Sequence, residues 1–168
     1  MQEHVRAEMI RLLPRLRRFA LGLTGNRDDA DDLVQIACER ALGRVDQWQA
    51  GSRVDSWMFR IVQNCFIDRV RAAKLRGDPV SHEEVMLADD KAHLTAELRN
   101  LLGHTLSAIG RLPEEQRVVL MLVCIEEYEY REAADILGIP IGTVMSRLAR
   151  ARSKLSDLMG GSTGWSTP

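Results

Sequence analysis

Residues 128–155 read Tyr-Glu-Tyr-Arg-Glu-Ala-Ala-Asp-Ile-Leu-Gly-Ile-Pro-Ile-Gly-Thr-Val-Met-Ser-Arg-Leu-Ala-Arg-Ala-Arg-Ser-Lys-Leu, and this stretch predicts two helices joined by a tight turn. Ala133, Ala134 and Leu137 give the first helix a small apolar inner face. Gly138 admits the positive backbone angle that ends a helix, and Pro140 starts the next without needing its own N–H bonded. Val144, Leu148, Ala151 and Leu155 recur at i, i+4, i+7 and i+11, a buried stripe. Thr143, Arg147, Arg150 and Lys154 recur at the same spacing on another face, where they can meet phosphates and base edges. A helix-turn-helix of this kind presents one exposed helix to the DNA major groove. The segment by itself also fits a basic amphipathic helix that merely ends a bundle, because Lys and Arg suit the terminal dipole.

Upstream of it, Leu112-Pro113-Glu114-Glu115-Gln116 is a fresh helix start, and Val118, Val119, Leu122 and Ile125 form the expected buried side. A helix before that begins near Leu94 and carries Leu98, Leu101, Leu102 and Ile109. Together these make a second module over 94–159. Residues 160–168, Gly-Gly-Ser-Thr-Gly-Trp-Ser-Thr-Pro, lack any pattern and read as a disordered tail.

The N-terminal part predicts a separate three- or four-helix module over 1–76. Val5, Met9, Leu12, Leu16, Phe19 and Leu23 follow one helical stripe, with a bend expected at Pro14. Asn26 can cap the next helix, and Asp28, Asp29, Asp31 and Asp32 crowd its start, where the dipole favours acids. Ala30, Leu33, Val34, Ala37 and Ala41 point inward. A polar loop from Asp46 to Arg53 precedes a third helix, with Trp57, Ile61, Val62 and Cys65 on one side and Arg60, Asn64, Asp68 and Arg71 on the other. Gly77-Asp78-Pro79 breaks that helix. Residues 77–93 read as an acidic linker with a short helix around Glu83–Leu87, which leaves the relative placement of the two modules free.

The net charge of −1 looks wrong for a nucleic-acid binder, but it averages segregated blocks. Residues 1–76 hold 14 Lys/Arg against 10 Asp/Glu, and residues 143–159 hold 4 against 1. Residues 77–100 and 114–135 are acidic. Local potential governs DNA contact, yet the small total implies weak binding without a partner. The acidic band Glu126, Glu127 and Glu129 must point away from phosphates, toward a protein partner.

Several classes are excluded as expectations. No run approaches 18 apolar residues and the N-terminus is charged from Glu3, so no membrane insertion or signal peptide is expected and the chain reads as cytoplasmic. Cys38, Cys65 and Cys124 are odd in number and far apart, and read as reduced core residues. The four histidines show no ligand spacing with them, so no metal site and no cofactor are expected. Paired carboxylates, Ser/His or Cys/His clusters and Gly-rich phosphate loops are missing too, which argues against an enzyme.

Set in order, these pieces resemble bacterial RNA polymerase sigma factors of the sigma-70 family, in the small extracytoplasmic-function (ECF) group. Asp31-Asp32-Leu33-Val34-Gln35 resembles the core-binding signature of region 2, and Trp57-Met58-Phe59-Arg60-Ile61-Val62-Gln63-Asn64 with Asp68 and Arg71 resembles its promoter-melting helix. Leu112-Pro113-Glu114-Glu115-Gln116-Arg117 and Ile141-Gly142-Thr143-Val144-Met145-Ser146-Arg147-Leu148 resemble region 4. The resemblance implies an all-α fold of two helical modules joined by the acidic linker. It also implies an alternative sigma factor whose partners are core RNA polymerase, promoter DNA and an anti-sigma factor.

Residue roles follow from the same resemblance. Asp32 and Gln35 stand at core-polymerase docking positions, an i, i+3 pair on one helical face. Ile36 stands where relatives often carry a polar residue. The 46–53 loop, with Trp48 and Arg53, lies where such factors capture a flipped base of the −10 element. Asn64 offers donor and acceptor to a base edge, and Arg60, Arg71, Lys74 and Arg76 suit phosphates. Trp57 reads as core, and Asp68 as a group that holds Arg71 or Arg60. Thr143, Ser146, Arg147, Arg150 and Lys154 are the expected −35 set. Glu127 stands where relatives usually have Gly and Glu129 where they often have a Ser cap, so this turn is expected as either a continuous helix or a strained corner. Two rivals remain at this level: a stand-alone helix-turn-helix regulator, and a sigma mimic that only occupies an anti-sigma factor. The first leaves Asp-Leu-Val-Gln unexplained, and the second leaves the basic faces unexplained.

Overall fold

The stripe Val5, Met9, Leu12, Leu16, Phe19 and Leu23 becomes the buried edge of helix α1 (Gln2–Thr24). Pro14 lies inside α1 on its exposed side. Water can therefore meet the carbonyl that loses its partner there. Helix α2 (Arg27–Leu42) starts as expected, with the Asn26 side chain accepting from the Asp29 N–H at 2.8 Å. Such a cap is worth about 1 kcal/mol. A 3-10 turn, Val45–Gln47, leads into α3 (Val54–Arg76), which Gly77 ends in the left-handed conformation. The computed structural model describes residues 2–78 and 95–160, and among these residues every regular element is helical. The linker beyond Asp78, including the short helix expected around Glu83–Leu87, and the tail beyond Gly160 lie outside the described residues.

The second module opens with α4 (Ala96–Gly110), capped by the Thr95 hydroxyl accepting from the Leu98 N–H. Helix α5 (Glu114–Leu120) runs into a π-helical turn, Met121–Ile125. Helices α6 (Tyr130–Leu137) and α7 (Ile141–Leu158) form the helix-turn-helix, and Gly138 ends α6 at φ +65°. The stripe Val144, Leu148, Ala151 and Leu155 is buried. The segment before α6 is the strained corner rather than a continuous helix. Glu127 adopts φ +60°, the one positive φ outside glycine among the described residues. The Glu129 and Glu132 side chains then cap α6 reciprocally, so a glutamate does the work of the missing Ser.

Three expectations are corrected. Ile125 is 39% exposed rather than buried, because the π turn rotates it off the stripe. On α4 only the C-terminal end is buried, at Ala108 and Ile109, while Leu98 and Leu101 stay exposed. The largest correction concerns placement: the modules are not loosely tethered but share one continuous core. Phe59 of α3 stands edge-on to Phe19 of α1 (centroids 5.0 Å) and to Tyr128 of the second module (5.5 Å). Gly22 on α1 lies so close to Met121 that a Cβ there would overlap the Met121 methyl carbon.

Candidate nucleic-acid and partner interfaces

Helix α7 carries the upstream candidates. Because its core stripe falls at 144, 148, 151 and 155, positions 145, 146, 149, 150, 153 and 154 face outward, and all are exposed. Ser146, Arg150 and Lys154 are on this face. The Ser146 hydroxyl donates to the Thr143 carbonyl at 3.1 Å, leaving its lone pairs outward. Thr143 is half-buried. Arg147 is turned to the flank, where its guanidinium meets the Glu115 carboxylate of α5 at 3.0 Å.

The −10 candidates of the first module divide into two groups. Asn64 and Arg71 project from α3, exposed and without a side-chain partner among the described residues. Arg53, Arg60 and Lys74 are engaged by the second module. Arg53 bonds the Glu132 carboxylate of α6 and also Asp55 at 2.7 Å. Arg60 donates to the Ile136 carbonyl at 3.0 Å and to the Asp135 carbonyl. Lys74 lies 3.3 Å from Glu114. Between these contacts runs a cleft of about 560 Å³, walled by Trp48, Trp57, Arg53 and Arg60 on one side and by Glu132 and Asp135 on the other. The buried Trp48 indole N–H has no partner among the described residues. Trp57 is half-buried against the core, consistent with a packing role. Asp68 holds neither Arg60 nor Arg71: it bonds Arg40 of α2 at 2.8 Å, since α2 packs beside that face of α3. Arg76 pairs with Asp78 at 2.8 Å.

The seam between the modules also carries buried charge. Glu126 does not point outward with its acidic neighbours: its side chain is fully buried against α1 and accepts from Arg15 and Arg18 at 2.9 Å each. Two charge-assisted bonds compensate the desolvation that would otherwise forbid a carboxylate there. Burial alone would lower the Arg15 pKa, but the hydrogen bond it donates to Glu126 reverses the sign and raises it. For Asp55, burial pushes upward and is outweighed by the bonds from Arg53 and the Ser56 N–H, so its carboxyl lies below the usual range. Glu114 behaves alike: burial is outweighed by its own backbone N–H bond and by Lys74. The Tyr128 hydroxyl is pushed up, first by burial and then by the Asp55 charge.

Arg117 is the residue that sequence reading passes over. It is buried, and it donates to the Leu23 carbonyl at the end of α1, to Gly110 at 2.7 Å and to Leu112 at 2.9 Å. Its guanidinium also lies over Phe66 of α3 at 5.9 Å. Burial lowers its pKa against the pull of Glu114. An arginine just after Leu-Pro-Glu-Glu-Gln, on the apolar side of a short helix, is the only sequence signal for it.

On α2, Asp32 and Gln35 are exposed neighbours on one face with Ile36, which is 41% exposed, and Gln35 bonds Glu39 at 3.1 Å. Asp29, by contrast, is tied up by Arg69 and the Asn26 cap. All three cysteines are free thiols, Cys65 buried and the others half-buried. Among the described residues no helix is long and apolar enough to cross a membrane, and no group of three His, Cys, Asp or Glu is placed to hold a metal.

Comparison with known proteins assigns both modules. Residues 9–76 match the family model of sigma-70 region 2, and residues 105–155 that of sigma-70, region 4. The chain is 36% identical over 157 residues to the ECF RNA polymerase sigma factor EcfG of Rhodopseudomonas palustris, across 94% of this chain and 86% of that protein. It is 34% identical over 145 residues to the ECF RNA polymerase sigma factor SigM of Mycobacterium tuberculosis, across 86% and 71% of the two chains. Among solved structures it is similar to the sigma factor RpoE from Bartonella quintana, in complex with the anti-sigma factor NepR. There the TM-score is 0.77 at 29% identity, over 94% of this chain and 98% of that one. CnrH, solved with the cytosolic domain of CnrY, shares the fold at TM-score 0.70 and 24% identity, over 97% and 92%.

Proposed function

This chain belongs to the sigma-70 family of RNA polymerase sigma factors, in its extracytoplasmic-function group, and on that premise we propose that it binds core RNA polymerase and directs it to a specific set of promoters. The observation that carries this reading is the pairing, in one chain, of a region 2 match and a region 4 match. Residues 1–76 act as region 2, residues 94–159 as region 4 and residues 77–93 as the linker. Asp32 and Gln35 dock on the polymerase. Trp48, Arg53, Arg60, Asn64, Arg71 and Lys74 serve the −10 element. There a melted strand needs stacking surfaces, amides for base edges and cations for the backbone. Thr143, Ser146, Arg147, Arg150 and Lys154 serve the −35 duplex. Catalysis belongs to the polymerase, and the chain acts in the cytoplasm, where that enzyme works.

The packed arrangement adds a condition. Arg53, Arg60 and Lys74 cannot meet DNA while the second module holds them. Like-charge repulsion would also keep phosphates off the cleft wall made by Glu132 and Asp135. The packed chain is therefore an off state, and engagement with polymerase separates the modules. An anti-sigma factor, as in the solved relative that carries one, controls the chain by favouring the off state.

In vitro run-off transcription with core polymerase on fragments of the host genome tests the reading. Initiation from a reproducible subset of fragments is expected. Uniform background transcription, whether or not the chain is added, contradicts it. A stand-alone regulator would instead bind those fragments equally well without polymerase, and a pure mimic would bind none. Within a responding promoter, Asn64→Ala should reduce permanganate reactivity of −10 thymines while leaving upstream binding intact.

A further inference from the structure

We propose that Met145 reads the 5-methyl group of a thymine in the major groove of the upstream promoter element; this rests on the reading of α7 as the −35 helix. On α7, Ile141, Met145 and Ala149 succeed one another at i, i+4 and i+8, an apolar seam that points to solvent. Ile141 is 46% and Met145 52% exposed, although the same helix buries a full stripe on its other side. A seam this regular on the outward face is not the scatter of single apolar residues normal on surfaces.

The chemistry of the partner follows from what methionine lacks. It has no N–H or O–H to offer a phosphate or a base acceptor. The apolar group that base pairs present in the major groove is the thymine C5 methyl. Met145 sits one turn into α7, within the N-terminal half that recognition helices turn toward base edges. Its three rotatable bonds let the thioether settle on a methyl, and the short side chain of Ala149 leaves room one turn on. Ser146 and Arg150, its outward neighbours, supply the polar contacts.

The test uses polymerase holoenzyme reconstituted with the full chain and promoter duplexes enriched from a library randomised upstream of a fixed −10 region. Each thymine of the enriched element is then replaced by deoxyuridine, which removes the methyl and nothing else. One buried methyl corresponds to about a fourfold change in affinity. A loss of about that size is expected at one or two thymines with the wild-type chain. With Met145→Ala it should vanish, and with Met145→Leu it should persist. Thermal melting should show both variants folded, because the side chain is outside the core. Enriched elements in which no thymine shows a methyl penalty overturn the proposal, as does a penalty that survives unchanged in Met145→Ala. Selective enrichment without methyl dependence removes only the role of Met145. No enrichment at all removes the sigma-factor reading with it.

Discussion

Arg53, in the turn before α3, bonds the carboxylate of Glu132 on α6, 79 positions further along the chain. A cation proposed to serve one strand of a promoter is held by an acid of the helix-turn-helix. The pair is more than half exposed on its Arg53 side, so by itself it is worth no more than about 1 kcal/mol. Glu132→Gln should keep the α6 cap, because a glutamine fits the same capping box, yet release Arg53. We expect binding of a −10 single-stranded probe by the free chain to rise, by up to about fivefold at 1 kcal/mol. High salt should erase the difference. Equal binding at low salt would show that Glu132 does not restrain Arg53.

Glu126 makes a sharper prediction. Its carboxylate is wholly buried between Arg15 and Arg18. Glu126→Ala removes two charge-assisted bonds and leaves two arginines facing a small void. The arginines are 35% and 53% exposed and can turn to water, so a loss of about 1–3 kcal/mol is expected. Urea unfolding reads it as a lower midpoint. An unchanged midpoint would mean that the seam contributes nothing to stability.

Much of the fold is legible in the sequence, and the seam is not. The stripes of α1, α2 and α7 are readable because helical spacing reports burial directly, and Gly138 because a helix end needs a left-handed residue. Arg53 and Arg60 are readable as exposed cations on a polar face. That face looks the same in sequence whether phosphate or carboxylate will meet it. Glu126 reads as one acid among three because its partners lie 111 and 108 positions away, on a flank of α1 that no apolar period marks. Arg147 is likewise readable as basic, while its turn toward Glu115 depends on how α5 crosses α7.

A steric route to the same opening leaves all charges in place. Gly22 meets the flexible end of Met121, so an added alanine methyl could be absorbed by a rotamer change, whereas a leucine could not. Gly22→Leu should wedge α1 away from the π turn and raise the radius of gyration in small-angle scattering. Adding Met121→Ala to that variant should restore the packed dimension. An unchanged radius in Gly22→Leu would show that the modules tolerate the wedge without separating.

On the upstream side, Arg147 must leave Glu115 to reach DNA. Arg147→Ala and Arg150→Ala should both weaken −35 binding, by about 1–3 kcal/mol for an arginine that contacts guanine bidentately. Glu115→Ala should strengthen it, and only when Arg147 is present. Quantitative footprinting of holoenzyme on the four variants of this double-mutant cycle measures the coupling. Additive effects would mean that Arg147 stays with Glu115 on the promoter.

On the proposed function, polymerase converts a packed chain into an extended one and so frees the cationic face of the first module. Energy transfer between dyes attached at exposed positions on α1 (Arg6) and in the last turn of α7 (Asp157) measures that conversion directly. High transfer is expected in the free chain, and a large drop on adding core polymerase, in step with the onset of promoter-specific transcription. Transfer that stays high in a transcriptionally active holoenzyme would contradict it.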